Sequence, residues 1–167
     1  FWKGRKAASA AMGSIANDYY VQDPVVPRTE LGAVLKRITE LGEEYGMRVA
    51  NVFHAGDGNL HPLVLYDNDK EGEADKAHDL AGEIVLACLE AGGSLTGEHG
   101  VGHDKKKYMP KMFTEDDLNT MQLLRCAFDP HYLCNPGKIF PTPRLCGARP
   151  GPFRMHPVQK AGLAENF

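Results

Sequence analysis

"NVFHAGDGNLHPLVLYD", residues 51–67, is apolar on both sides of a centre made of turn formers. Asp57-Gly58 is a strong reversal signal, and the flanking apolar runs read as two strands of a hairpin, over 47–54 and 60–67, around AGDGN. That hairpin puts His54 and His61 on adjacent strands, facing each other at the roughly 4.5–5.5 Å expected between paired Cβ atoms. Two neutral imidazoles at that separation can share one divalent cation. A third, harder donor is available further along, in GGSLTGEHGVGH (92–103), as Glu98. His, His and carboxylate suit zinc, iron or manganese, and three protein ligands leave positions open, as catalytic metals require. The alternative is plain strand and turn chemistry, with each histidine hydrogen-bonded in place and Asp-Gly-Asn closing the hairpin. His99 beside Glu98 favours the site, because the glycines around both suggest close approach by a ligand or another backbone.

Outward from the hairpin, the periodicity switches to helical on both sides. Leu31, Val34, Leu35, Ile38 and Leu41 make one apolar face of a helix over 30–45, with Thr29 as its expected N-cap and Gly46 as its stop. Ala74, Ala77, Ala81, Ile84, Val85, Cys88 and Leu89 form the buried stripe of a second helix, over 71–91. Upstream, DYYVQDPVVPR (18–28) is β-prone but interrupted by Pro24 and Pro27, which restricts it to an edge strand or an extended connector. Downstream, a helical segment near 104–112 precedes a helix over 115–127, opened by Thr114 with Asp117 three residues on. FDPHYLCNPGKIFP closes the ordered part as a turn-rich segment, and 142–167, dense in proline, reads as a tail. The pattern predicts an α+β domain: an antiparallel sheet with helices packed on one face, as in a ferredoxin-like cap domain, plus C-terminal helices.

The 167 residues are 43% hydrophobic and 25% charged, the composition of a globular chain. A net charge of −3, with Lys and Arg scattered among acids, leaves no basic footprint for nucleic acid. No apolar run approaches the roughly 18–20 residues of a membrane span. The cysteines show no CxxC pairing, so neither a zinc ribbon nor a disulfide scaffold is indicated and a cytoplasmic location is expected. The chain opens without Met and without a signal-like segment, and reads as a piece of a longer protein.

HAGDGNLHP (54–62), GGSLTGEHGVG (92–102) and FDPHYLCNPGKIFP (128–141), in this order, resemble the C-terminal part of FAD-linked oxidases of the vanillyl-alcohol-oxidase-like superfamily. Within it the chain is similar to the FAD subunit of glycolate oxidase and to D-lactate and D-2-hydroxyglutarate dehydrogenases. The resemblance runs from about residue 2 to residue 141. It implies that His54, His61 and Glu98 bind a divalent metal and that His99 is the base. It also implies that Arg5, in WKGRK, binds the substrate carboxylate, and that Asn135 and Lys138, in NPGK, lie near the flavin. Two positions depart from some relatives: Val21 stands where they have a Lys, and Leu63 where they have a polar residue.

The organisation implied is a connector over 1–28 from an FAD-binding domain that precedes it, then a substrate and cap domain with a helical C-terminal segment over 29–141. The function implied is oxidation of a small 2-hydroxy acid, of glycolate or D-lactate type, to the 2-oxo acid. FAD would be held mostly by the preceding domain, and other oxidase subunits are possible partners, through which the protein could meet the inner face of a membrane. The residues alone also admit a metal-dependent hydrolase, since the same ligands would activate water, or a non-catalytic substrate-sensing or docking module. The motif loops carry few side chains able to pack, so fast amide exchange is expected over 92–103 and 134–140.

Overall fold

The computed structural model describes residues 4, 7 and 10–141; Arg5 and the tail at 142–167 lie outside the described residues. The chain divides into two compact units, Phe1–Gly100 and Val101–Phe167.

In the first unit, β1 (Asp18–Val21), α1 (Leu31–Glu44), β2 (Arg48–His54), β3 (Asn59–Tyr66) and α2 (Glu73–Glu90) follow one another. The three strands form one antiparallel sheet in the order β1-β3-β2, so the second hairpin strand is central. The α+β arrangement expected from the periodicities is therefore present. One register runs through the edge pair, from Asp18 opposite Tyr66 to Val21 opposite Leu63, and reappears where Val25 bridges Asn59. Val25 also bridges Ser94, so a single residue after α2 stands where a fourth strand would pair with β1.

Side chains alternate across a strand, and here the two faces of the sheet have different fates. Leu60 and Val64 of β3 meet Val34, Ile38 and Leu41 of α1 and Ala77, Leu80, Ala81, Ile84 and Cys88 of α2 in one buried cluster. Burying each of the larger aliphatic side chains contributes about 1.5–3 kcal/mol, which is why two helices suffice to close this side. Cys88 is fully buried, and burial pushes its thiol up to about 12, so it packs as a small apolar group. His61, on the alternate set, faces away from both helices.

Thr29 does not cap α1. The helix is entered through a 3-10 turn, Arg28–Glu30, whose first bond runs from the Glu30 N–H to the Pro27 carbonyl at 2.8 Å. Pro27 presets that turn with a φ of −53°, so Thr29 already lies inside it and Glu30 occupies the cap position without a side-chain bond.

The hairpin turn depends on glycine at one position. Gly58 has a φ of +75°, and a Cβ there would stand 2.1 Å from the Val26 carbonyl oxygen. Gly58→Ala combines left-handed strain with a backbone clash, and is expected to destabilise the fold by about 2–4 kcal/mol. Urea unfolding should show a lower midpoint at unchanged slope.

The second unit holds a 3-10 turn, Lys106–Tyr108, then α3 (Met109–Met112) and α4 (Glu115–Phe128). The capping box at α4 is as the sequence suggests: Asp117 N–H donates to Thr114 Oγ1 at 3.2 Å, and Thr114 N–H donates to Asp117 Oδ2 at 2.9 Å. The Thr114 hydroxyl and N–H hold the Asp117 carboxyl below its usual range. This contribution is present above the ordinary carboxylate pKa and is lost as pH falls through the lowered one. Leu123, Leu124, Phe128 and Leu133 are exposed, an apolar surface on this unit.

Candidate metal centre

The register of β2 on β3 sets the histidine geometry. His54 pairs with Asn59 and His61 pairs with Val52, so the two are diagonal neighbours on one face of the sheet. The two are not directly opposite, because Asn59 has joined the strand and the turn is Ala55 to Gly58, which puts His54 across from Asn59. Diagonal positions remain within reach of long side chains. The two rings sit with centroids 5.4 Å apart at 82°.

The loop after α2 brings the other two groups to the same face. Leu95, 1% exposed, anchors it in the interior, and Ser94 is tied to Val25 by two backbone bonds, 2.7 and 3.1 Å. Glu98 and His99 follow at the surface. Glu98 Oε1 lies 3.0 Å from His61 Nε2, 3.8 Å from His54 Nε2 and 3.9 Å from His99 Nε2. The His99 ring also stacks on that of His61, centroids 5.0 Å apart at 17°. His61 is the enclosed member, its side chain 12% exposed, while His54, Glu98 and His99 are 38%, 55% and 50% exposed. The centre is open on one side.

These separations fit a cation. Two donors each about 2.0–2.2 Å from one ion cannot stand more than about 4.4 Å apart. All three distances from Glu98 Oε1 satisfy that limit. Glu98 Oε1 is thus near enough to all three imidazoles to share an ion with any one of them, but His54 is not in the group whose donor atoms all lie within 4.8 Å of one another.

The sequence reading missed Asp23. Its side chain is fully buried, and with His61, Glu98 and His99 it makes a group whose donor atoms lie within 4.8 Å of one another. Its Oδ2 accepts from the Thr96 hydroxyl at 2.5 Å and from the N–H groups of Gly97, Glu98 and His99 at 3.1, 3.1 and 2.8 Å. The available signal was an acid before a proline inside an apolar, β-prone segment, a place where a charge needs partners. These bonds also revise the view of 92–103 as a weakly held loop. Amides 93, 94 and 97–100 each donate to an acceptor, Gly100 N–H reaching Thr96 Oγ1 at 2.8 Å.

Gly97 is required for close packing. A Cβ there would meet Asn59 Nδ2 and Val25 Cγ2, both at 2.7 Å. Val21 and Leu63, the two positions that depart from some relatives, are direct cross-strand partners. Leu63 stands two residues from His61 on the same face of β3, so the strand is apolar next to the centre.

Asn135 and Lys138 belong to the second unit, where Lys138 Nζ donates to Asn135 Oδ1 at 3.0 Å. Asp129 folds the start of that segment by accepting from Leu133 N–H at 2.8 Å and Cys134 N–H at 2.9 Å. Those two bonds, the Cys134 one foremost, hold its carboxyl below the usual range. Arg125 donates to the Cys134 carbonyl and lies 4.2 Å over the Tyr132 ring. The amide and ammonium of Asn135 and Lys138 are donors of the kind that flavin carbonyl or phosphate oxygens accept. Among the described residues no helix is long and apolar enough to cross a membrane.

Comparison with known proteins agrees with the motifs. Glycolate oxidase subunit GlcD of Escherichia coli strain K12 is 47% identical over 156 residues, which are 93% of this chain and 31% of that protein. The GlcD subunit of Bacillus subtilis is 34% identical over 138 residues, 83% of this chain and 29% of its own length. A mitochondrial D-lactate dehydrogenase [cytochrome] of Arabidopsis thaliana is 33% identical over 147 residues, 87% of this chain and 26% of its own. The chain thus spans under a third of each of these relatives. The family model for the C-terminal domain of FAD linked oxidases matches residues 1–139, nearly all of the described part, and the chain belongs to that family.

Proposed function

We propose that this chain is the substrate- and metal-binding part of an FAD-dependent oxidoreductase that converts a small 2-hydroxy acid to the 2-oxo acid. The observation that carries this reading is the position of Glu98 Oε1, within 3.9 Å of three imidazole Nε2 atoms on an open face. His54, His61 and Glu98 would hold a divalent cation, and Arg5 would take the substrate carboxylate. Asn135 and Lys138 would contribute to a flavin held chiefly by another domain. The exposed apolar surface at Leu123, Leu124, Phe128 and Leu133 supports such a covering partner. Other oxidase subunits are a further expectation from the relatives named as subunits, and a cytoplasmic protein meeting a membrane through them is in keeping with this.

When bound, the cation supplies Lewis acidity to the substrate hydroxyl, and the flavin supplies a two-electron acceptor for the Cα hydride. His99 receives the hydroxyl proton. Its ring is half-exposed and stacked on His61, so a nitrogen can reach an oxygen held at the centre without displacing a ligand. The backbone N–H of His99 is fixed on Asp23, which lets the side chain turn while the loop stays in place. Glu98 and His99 are consecutive yet serve different purposes, one donating electrons to the cation and the other accepting a proton.

The apolar pair Val21 and Leu63 bears on the substrate. A second carboxylate on the substrate would find no cation at either position, which favours a hydrogen or methyl substituent, as in glycolate or D-lactate. Anaerobic flavin reduction in the full-length protein tests this. Glycolate or D-lactate should bleach the flavin at least tenfold faster than a 2-hydroxy diacid. Absence of reduction by any 2-hydroxy acid, together with hydrolysis of simple esters, would replace this reading with the hydrolase one.

A further inference from the structure

We infer that Asp23 is the positioning residue of the metal centre: one buried carboxylate both folds the Thr96–His99 loop and orients His61. The inference rests on the metal reading above for its second half, while its first half stands on the loop alone. Register decides the placement. Val21 opposite Leu63 and Val25 opposite Asn59 belong to one ladder, and continuing it puts Asp23 directly across from His61. Its Oδ1 lies 3.8 Å from His61 Nδ1, a ring nitrogen that is buried and makes no hydrogen bond. The other ring nitrogen, Nε2, is the one 3.0 Å from Glu98.

The partners explain why the residue is a carboxylate. Thr96 offers a hydroxyl, Gly97, Glu98 and His99 offer three N–H groups, and every one of them donates. Four donors on one oxygen exceed what the two lone pairs of a neutral amide oxygen accept, and an amide would turn its NH₂ toward the Glu98 N–H, which lies 3.4 Å from Oδ1. Three successive N–H groups converging on one anion form a nest, here filled by the protein's own side chain. Thr96 extends it, since its hydroxyl donates to Asp23 and accepts from Gly100 N–H. At 3.8 Å the Asp23 carboxylate is beyond hydrogen-bond distance of His61 Nδ1 and acts on the ring by its charge, which favours the tautomer with Nδ1 protonated and Nε2 as the donor atom. With Oδ2 committed to the loop, Asp23 acts through Glu98, His99 and His61.

The test is Asp23→Asn in the 167-residue chain, read two ways. In metal-free protein, amide exchange at Glu98 and His99 should rise at least about tenfold, less so at Gly97, which keeps a 2.9 Å bond to the Asp23 carbonyl, with the amides of α2 unchanged, because hydrogen bonds to a charge are being replaced. Mn²⁺ affinity, followed by electron paramagnetic resonance, should fall about 10–100-fold. Unchanged exchange at the three amides overturns the inference. Loss of Mn²⁺ binding with unchanged exchange overturns it as well, and makes Asp23 a ligand. A wild-type chain that binds no Mn²⁺ refutes the metal reading, and the exchange arm then still decides the loop-folding role. Should Asp23→Asn fail to fold, Thr96→Val keeps the carboxylate and removes one donor; it should raise exchange at Gly100 and weaken Mn²⁺ binding several-fold, and wild-type behaviour in both would overturn the inference.

Discussion

His99→Ala in the full-length flavoprotein is expected to lower kcat by about 10²–10⁴-fold, the usual cost of losing a general base. Substrate affinity should change little, because the proton is transferred only in the transition state. The structure makes this a clean substitution. The His99 side chain is half-exposed, and the group that secures the loop is its backbone N–H on Asp23, which alanine retains. Single-turnover flavin reduction at saturating substrate reads the chemical step directly. A variant that reduces its flavin at the wild-type rate would remove His99 from the mechanism and move the base elsewhere.

Glu98→Ala should abolish Mn²⁺ binding at concentrations that saturate the wild type, and with it all 2-hydroxy-acid oxidation. Glu98 Oε1 lies within 3.9 Å of all three imidazoles, so removing it takes away a carboxylate that His54 and His61 share. Its side chain is 55% exposed, so the fold should be nearly unaffected, within about 0.5 kcal/mol. Titration calorimetry and thermal unfolding on one preparation separate the two effects. His54→Ala should likewise lose metal and activity together. Metal binding that survives Glu98→Ala would place the centre on other donors, and the cluster of Asp23, His61 and His99 would be the first place to look.

Much of this protein was legible residue by residue. Asp57-Gly58 between apolar runs announces a hairpin because the reversal is local chemistry, and the strands at Arg48–His54 and Asn59–Tyr66 follow. The stripes of α1 and α2 and the capping box of α4 are also local, set by spacings of three and four residues. The approach of Glu98 to His54 and His61 was expected from ligand chemistry and from the family motif, and Glu98 Oε1 stands 3.8 and 3.0 Å from their Nε2 atoms. The role each residue plays is what the variants above decide.

Other features depend on distances along the chain that no local pattern encodes. Whether His54 faces His61 directly or diagonally turns on two residues of register, and Asn59 joins the strand because Val25 pairs with it from the far side. Thr29 has the chemistry of a cap, but the chain enters α1 through a turn preset by Pro27. The glycine-rich loop reads as loose because glycines confer backbone freedom, yet its amides are held by a carboxylate more than seventy positions earlier in sequence. Composition and periodicity determined the helices and the hairpin, and the motifs singled out His54, His61, Glu98 and His99 as candidates. Only the folded chain decided that Asp23 is buried beneath them, because a buried charge is identified by the donors that surround it, and those donors are brought together by the tertiary structure.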